Sequence, residues 1–440
     1  MVVWQVSPMN LAIEYQTNKM ITLNEPVGPH IEQDKEYVNT MKAQILHEER
    51  AIRPEQSVEE VLIESKRPVP LKNFEKEEIK QVDRVYTFGH AIRSPPFARD
   101  NFYELITTEH IAYRYIVQRY SGAGTYSQVV YSKDCRTGKD VAIKMMKNDA
   151  SNMYAEIKML LYIQKHNPES EFFVKLLNFG TFRGHVFLVL EPFETDLHRF
   201  IRDREQPFHL DEVTNMTRSL LRGLVFLAQH RIIHGDLKPS NVLLNTKDIE
   251  KLKIADFGFS VLSKYAERGH VVQSIAYRAP EIFCDGMVSC AIDMWSLGCI
   301  MMDLTKGDRI IPRPETDDAQ FDVLLQMFGE PSAEFFFFCR EKDRHFPKSA
   351  TGKRVSRFSR GDHNDPAEIH RLSFTHFSNY VRSDFGILIW VMQEMFKWVP
   401  TQRISPVRAL YHFALINEHF EFEYAKYGLR LERKSDYFRY

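Results

Sequence analysis

Between Ile232 and Leu244 the chain reads I-I-H-G-D-L-K-P-S-N-V-L-L. The segment sets a carboxylate, an ammonium and an amide at fixed offsets: Asp236, Lys238 and Asn241. A carboxylate accepts protons, an ammonium neutralises anions and an amide oxygen suits a hard cation. The apolar pairs Ile232-Ile233 and Leu243-Leu244 would anchor the segment in a core. Taken alone, it also fits a polar turn between two strands. Upstream, Gly122-Ala123-Gly124-Thr125-Tyr126-Ser127-Gln128-Val129 lies between two strand patterns. Its glycines let backbone approach a ligand closely, although a plain hairpin fits as well. Downstream, Asp256-Phe257-Gly258 follows the strand pattern K-L-K-I-A.

The first segment resembles the catalytic loop of eukaryotic protein kinases, H-R-D-x-K-x-x-N, and the others resemble its companion motifs. The resemblance implies that Asp236 orients a substrate hydroxyl and takes its proton, with Lys238 near the migrating phosphoryl group. Asn241 and Asp256 would hold Mg²⁺. Lys144, ending V-A-I-K, would contact the ATP phosphates and pair with Glu156 on the following helix. Gly122, Ala123, Gly124 and Ser127, which stands where a third glycine is usual, would cover the phosphates. Val129 would lie over the adenine, and Ala142, Asp196 and Leu243 complete the ATP-binding set. Leu190 would be the gatekeeper, with adenine read by the carbonyl of Glu191 and the N–H of Phe193. Proline at 192 is harmless there, because that N–H is not used. Ala279-Pro280-Glu281 would close the activation segment, with Glu281 in a buried pair with Arg403. Asp293, in D-M-W-S-L-G, would hold the catalytic-loop backbone from below. Six motifs in the required order exceed what chance supplies.

These residues need a scaffold. Y-R-Y-I-V from Tyr113, the stretch through V-V-Y and V-A-I-K read as three antiparallel strands with a glycine turn between the first two. Asn152–Gln164 reads as a helix with Met153, Ile157, Leu160 and Leu161 on one face. Val186–Glu191 reads as a buried strand. Beyond it, helices are expected over Asp196–Arg204, Leu210–Gln229, Ile292–Lys306, Asp318–Phe328, Phe385–Lys397 and Pro406–Ile416. Ahead of the strands, helices are expected over Tyr37–Ala51 and Ser57–Ser65, the second with a Ser57/Glu60 capping box. Leu71–Gly89 reads as a folded accessory segment and Ile92–Asp100, with Pro95-Pro96, as a linker. Between Ser332 and Tyr380 lies an irregular stretch holding K-S-A-T-G-K-R-V-S-R-F-S-R-G. Such a run is more often a solvated insertion loop than a nuclear-import or acidic-partner patch.

The 440 residues are 44% hydrophobic and 27% charged, with a formal net charge of −1. That balance gives no whole-chain argument for nucleic acid or an acidic membrane. The five cysteines are scattered without C-x-x-C spacing, which suits a reducing compartment better than a disulfide framework or zinc site. The opening residues lack a signal-peptide pattern, and the nearest approach to a membrane span, Phe385–Phe396, is short and contains Glu394. A cytoplasmic protein is expected, with nuclear entry open through the basic run. It should be monomeric and bind protein substrates, not nucleic acid or membranes.

From His110 to about Leu415 the sequence resembles the dual-specificity tyrosine-regulated kinases of the CMGC group. E-H-I-A-Y-R-Y, T-F-R-G-H, I-I-H-G-D-L-K-P-S-N-V-L-L, V-V-Q-S-I-A-Y-R-A-P-E and A-I-D-M-W-S-L-G-C-I carry the likeness. F-E-K-E-E-I…V-Y-T-F-G, within Phe74–Gly89, looks like the amino-terminal accessory region of the class II members. The resemblance implies an α+β, two-lobed kinase fold: a five-stranded antiparallel sheet with one helix over a mostly helical lobe. An arm (1–56), an accessory region (57–109), the kinase domain (110–420) and a tail (421–440) would follow in order. The small lobe would span about 113–191, the large lobe about 194–420, and the CMGC-type insert about 332–380. ATP as substrate, Mg²⁺, protein serine/threonine substrates and tyrosine autophosphorylation in cis are implied too. The rival reading is a pseudokinase or nucleotide-binding scaffold, against which stands the presence of Lys144, Glu156, Asp236, Asn241 and Asp256. Four departures matter. Val271 stands where the family has its activating tyrosine, Ile275 replaces an arginine, Gly235 replaces the arginine of H-R-D, and Ser240 replaces the glutamate of K-P-E-N. Activation without tyrosine phosphorylation is therefore expected. Arg278 remains as a phosphate ligand, and Tyr265 and Tyr277 as alternative acceptors.

Overall fold

The computed structural model describes residues 56–63, 69–80, 84–85, 98–99, 102–147, 153–169, 171–269, 272–314, 316–346, 348 and 386–415. The expected helix over Tyr37–Ala51, most of the basic run, Val271 and the tail lie outside them.

The small lobe is built on one antiparallel sheet. Its spatial order is His110–Ile111, Tyr115–Ala123, Ser127–Asp134, Asp140–Met146, His185–Leu190 and Leu176–Phe182. It has six strands where five were expected, because two residues before Tyr115 add an edge. Side chains alternate faces along a strand, and this alternation divides the lobe. Val141, Ile143 and Met145 enter an outer core with Phe187 and Val189. Ala142 and Met146 face the other way, into the main core with Val186, Leu188 and Leu190. Lys144 shares that second face by register, opposite Val129 and Leu188. The helix Met153–His166 lies against it, burying Ile157, Leu160 and Leu161.

The accessory segment packs on the outer core. Its helix Asn73–Ile79 brings Ile79 beneath the sheet, with Leu71 and Tyr103 in the same cluster. Polar groups fix the dock. Arg183 donates to both Glu78 oxygens and reaches Glu109, while His110 N–H donates to Glu75 Oε1 at 2.6 Å. The expected linker is structured at its end, since Ala98–Arg99 pairs with Phe102–Tyr103.

The large lobe is mostly helical. Leu210–Gln229 forms as expected, with a capping box between His209 and Glu212. Ala291–Lys306 runs through the centre and is buried from Ile292 to Thr305. Such all-round burial explains its near-continuous apolar sequence. Leu197–Arg202, Asp317–Phe328, Gly386–Met395 and Pro406–Leu415 complete the expected set with small shifts at their ends. Of the stretch from Ser332, the first residues, ahead of the basic run, are described, and these are folded. Phe335, Cys339, His345 and Phe346 are buried in the main core, and Phe346 stacks edge-on to Phe321 at 5.6 Å. Their aromatic content seats this lead-in on the large lobe, while the basic run itself lies outside the described residues apart from Lys348.

Candidate active site

Three side chains from three segments meet between the lobes. Lys144 Nζ donates to Glu156 Oε1 and Oε2 at 2.8 and 2.7 Å and to Asp256 Oδ1 at 2.7 Å. Burial disfavours the ammonium, but Asp256 and Glu156 more than reverse this and hold the Lys144 pKa well above its ordinary value. Burial likewise pushes the Asp256 carboxyl up; Lys144 outweighs it, with help from His234 and Lys238, and keeps Asp256 below the usual carboxylate range. Lys144 and Glu156 are buried, whereas the Asp256 side chain is 38% exposed and open to a ligand. Asp256 takes a left-handed φ of 64°, which turns the chain sharply after Ala255. Phe257 then enters the core against Phe173 and His234.

The catalytic-loop segment is held from below. Asp293 accepts the N–H groups of His234 and Gly235 at 2.8 and 3.1 Å. His234 Nδ1 accepts the Asp236 N–H and its Nε2 donates to the Ala255 carbonyl. Gly235 has φ 76°, and a Cβ there would lie 2.8 Å from the Phe259 carbonyl oxygen. The turn thus excludes the arginine of H-R-D on steric grounds. Glu281 and Arg403, both fully buried, pair at 2.9 and 3.0 Å.

Asp236 carries four donors. Its Oδ2 accepts from Lys238 Nζ at 2.6 Å and Asn241 Nδ2 at 3.2 Å. Its Oδ1 accepts both the N–H and the hydroxyl of Ser274, at 2.9 and 2.8 Å. Lys238 also donates to the Ser274 hydroxyl at 2.8 Å. The contact of Ser274 with Asp236 was not foreseen in the sequence, where Ser274 stood in Q-S-I-A-Y-R as one more hydroxyl of the activation segment. Tyr277 is corrected as an alternative phosphoacceptor, because it is buried with its hydroxyl on Asp303 at 2.7 Å.

The expected ATP-binding residues frame the same cleft. Gly122, Ala123, Gly124, Ser127 and Val129 form the hairpin above, closed by Gly124 N–H to Ser127 O at 2.8 Å. Its tip, Tyr126, meets Phe259 at 6.0 Å between ring centroids. A Cβ at Gly124 would touch only Ser127 O at 3.9 Å, so the fold itself does not demand glycine there. Ala142 and Leu190 face each other across paired strands. Leu243 pairs with Asp196 below. Glu191 is drawn to Lys253 at 2.6 Å, and the Phe193 carbonyl accepts the Tyr131 hydroxyl. Arg199, unremarked in the sequence, spans the cleft mouth from Asp196 to the Ser121 carbonyl at 2.7 Å.

Mg²⁺ fits the donor set. Asp256 offers an exposed carboxylate oxygen. Asn241 donates its Nδ2 to the Asp236 carbonyl at 2.8 Å, which leaves the amide oxygen for a hard cation. Among the described residues no cluster of three metal-ligating side chains occurs, so phosphates and water would complete the shell.

Residues 115–414 match the model of the protein kinase domain. The chain belongs to the protein kinase family. Among its relatives is the probable serine/threonine-protein kinase dyrk2 of Dictyostelium discoideum, 30% identical over 78% of this chain and 38% of that protein. The DYRK-family kinase pom1 of Schizosaccharomyces pombe is 29% identical over 78% of this chain and 32% of that protein. The human dual specificity tyrosine-phosphorylation-regulated kinase 4 is 30% identical over 71% of this chain and 59% of that protein. The chain thus spans well under two thirds of these relatives. A crystal structure of a kinase domain superposes with TM-score 0.60 at 19% identity, covering 71% of this chain and 98% of that one. It shares the fold. The family likeness read from the motifs is shared by these named relatives.

The expected Lys144–Glu156 pair forms, and it gives Lys144 a second role. Besides its expected place at the phosphates, it neutralises the buried Glu156, so its charge also supports the fold. Lys144→Met should therefore lower the unfolding free energy by about 3–5 kcal/mol, the cost of orphaning one member of a buried pair. Lys144→Met/Glu156→Gln should recover part of that loss. Urea denaturation of the three proteins checks this, and a single variant as stable as the wild type would contradict it.

Proposed function

We propose that this chain is an ATP-dependent protein serine/threonine kinase of the dual-specificity tyrosine-regulated type, active without tyrosine phosphorylation of its activation segment. The observation that carries the reading is the joining of Lys144, Glu156 and Asp256 beside a catalytic loop whose Lys238 donates to Asp236. A pseudokinase would have no need of the whole set. Asp236 accepts the substrate hydroxyl as a hydrogen-bond donor and takes its proton as the phosphoryl group arrives. A serine hydroxyl already fits this carboxylate, in Ser274. Lys238 places positive charge beside it, and Lys144 holds the nucleotide phosphates. Bound Mg²⁺ would neutralise the phosphate charge, held by Asp256 and Asn241. A cytoplasmic location, with nuclear entry through the basic run, belongs to the same proposal. All five cysteines are free, which supports a reducing compartment.

Activation follows from the segment after Gly258. A phosphate orders such a loop by finding arginines. Here Ile275 packs against the core, and Arg278 is committed to Asp317 at 2.9 Å and to the Gln273 carbonyl. Gln273 in turn donates to Ser296 and to the Ile292 carbonyl and accepts the Ala279 N–H. Loop order is thus supplied by an amide network instead of a phosphate.

Asp236→Asn should lower the rate of phosphate transfer from labelled ATP to a peptide library about 10²- to 10⁴-fold. A variant within a few-fold of wild type would remove Asp236 from its role. Phosphatase treatment of active protein, followed by phosphopeptide analysis, should leave the transfer rate unchanged. Collapse on removal of a phosphate from Tyr265 would show a shifted activation site.

A further inference from the structure

A recess of about 560 Å³ opens beside the catalytic loop, lined by Ser274, Ile275, Arg278, Arg313, Pro314 and Asp317. Ser274 is the wall it shares with the catalytic centre, since its N–H and hydroxyl both sit on Asp236 Oδ1. Consecutive Cα atoms lie only 3.8 Å apart. A hydroxyl delivered to Asp236 therefore carries a neighbouring residue of its own chain to the mouth of this recess.

Among the described residues that line the recess, two are cationic and one is anionic. Arg278 is buried and committed: Nη1 donates to Asp317, while Nε and Nη2 donate to the Gln273 carbonyl at 3.2 and 3.0 Å. Asp317 is neutralised by that pair. Arg313 is exposed, and none of the described residues pairs with it. Among the described residues, Arg313 is thus the one cation lining the recess that has no ion-pair partner, and it lies beside the position next to the phosphoacceptor. Pro314 fixes φ immediately after Arg313 and limits its backbone freedom. Ile275 supplies an apolar wall. Ser240, exposed on the catalytic loop, adds no carboxylate that would attract a basic substrate.

We propose that Arg313 is a specificity-determining residue that selects protein substrates with an acidic side chain next to the phosphoacceptor. The inference rests on the kinase reading and goes further, to the class of substrate. Its charge is carried at an open surface, so the preference is modest and shrinks as salt is raised. A phosphoserine at the same position carries about −1.5 to −2 charge and should be favoured at least as strongly as aspartate.

The test compares transfer to matched serine peptides bearing Asp, phosphoserine, Ala, Pro or Lys at the adjacent position, with full-length wild type and Arg313→Glu. Wild type should favour Asp over Lys about fivefold, the range of an exposed ion pair. Arg313→Glu should reverse the ranking. The preference is a ratio within one preparation, so a variant that folds less well still reports it. An unchanged ranking in Arg313→Glu, or a wild-type preference for Pro or Lys, would overturn the inference while the kinase reading stands. No transfer by wild type to any peptide would overturn both.

Discussion

The ammonium of Lys144 sits between two carboxylates and ties together three segments distant in sequence. A strand supplies the lysine, the helix Met153–His166 supplies Glu156 and the large lobe supplies Asp256. Burying one charge without the others would be costly, so each segment's position depends on the other two. Strand register brings Lys144 to the inner face with Ala142 and Met146. The helix can present Glu156 only because Ile157, Leu160 and Leu161 seat it against the sheet. Positive φ at Asp256 lets its carboxylate reach the lysine while Phe257 stays in the core.

The catalytic carboxylate depends on a second set of anchors. Asp293, on the most buried helix, grips the backbone at His234 and Gly235. Burial pushes its carboxyl up, but those two N–H groups and His234 oppose the shift and give the carboxylate partners. From the other side Ser274 caps Asp236, and Gln273 N–H donates to the Gly235 carbonyl at 2.7 Å. Catalytic loop and activation segment therefore share one hydrogen-bonded frame. The glycine at 235 is part of that frame, because any side chain would strike Phe259.

Much of this was legible in the sequence. Lys144–Glu156, Glu281–Arg403 and the Asp293 anchor were implied by the resemblance of their motifs to those of protein kinases, and the structure brings each set together. Helix positions followed from apolar periodicity, which fixed Leu210–Gln229 to the residue. What escaped was context that one-dimensional patterns lack. Ser274 is a small polar residue whose importance comes from where the activation segment folds. Arg199 reads as a surface charge until the fold brings it to Ser121. Phe335 and Phe346 lie in a segment of mixed charge with no helical or strand period, so nothing in the pattern marked their burial. The two-residue edge strand at His110 is too short for any period to reveal.

The most direct measurement is the ATP-induced shift in melting temperature, with and without Mg²⁺, for wild type and Asp256→Asn. Ligand binding to the folded state raises stability in proportion to RT ln(1 + [L]/Kd). If Asp256 is the carboxylate that the Lys144–Glu156 pair presents to a metal-bound nucleotide, Mg²⁺ should enlarge the shift in wild type and add little in Asp256→Asn. An equal Mg²⁺ effect in both proteins, or no ATP-induced shift in wild type, would contradict a nucleotide site organised around this charge cluster.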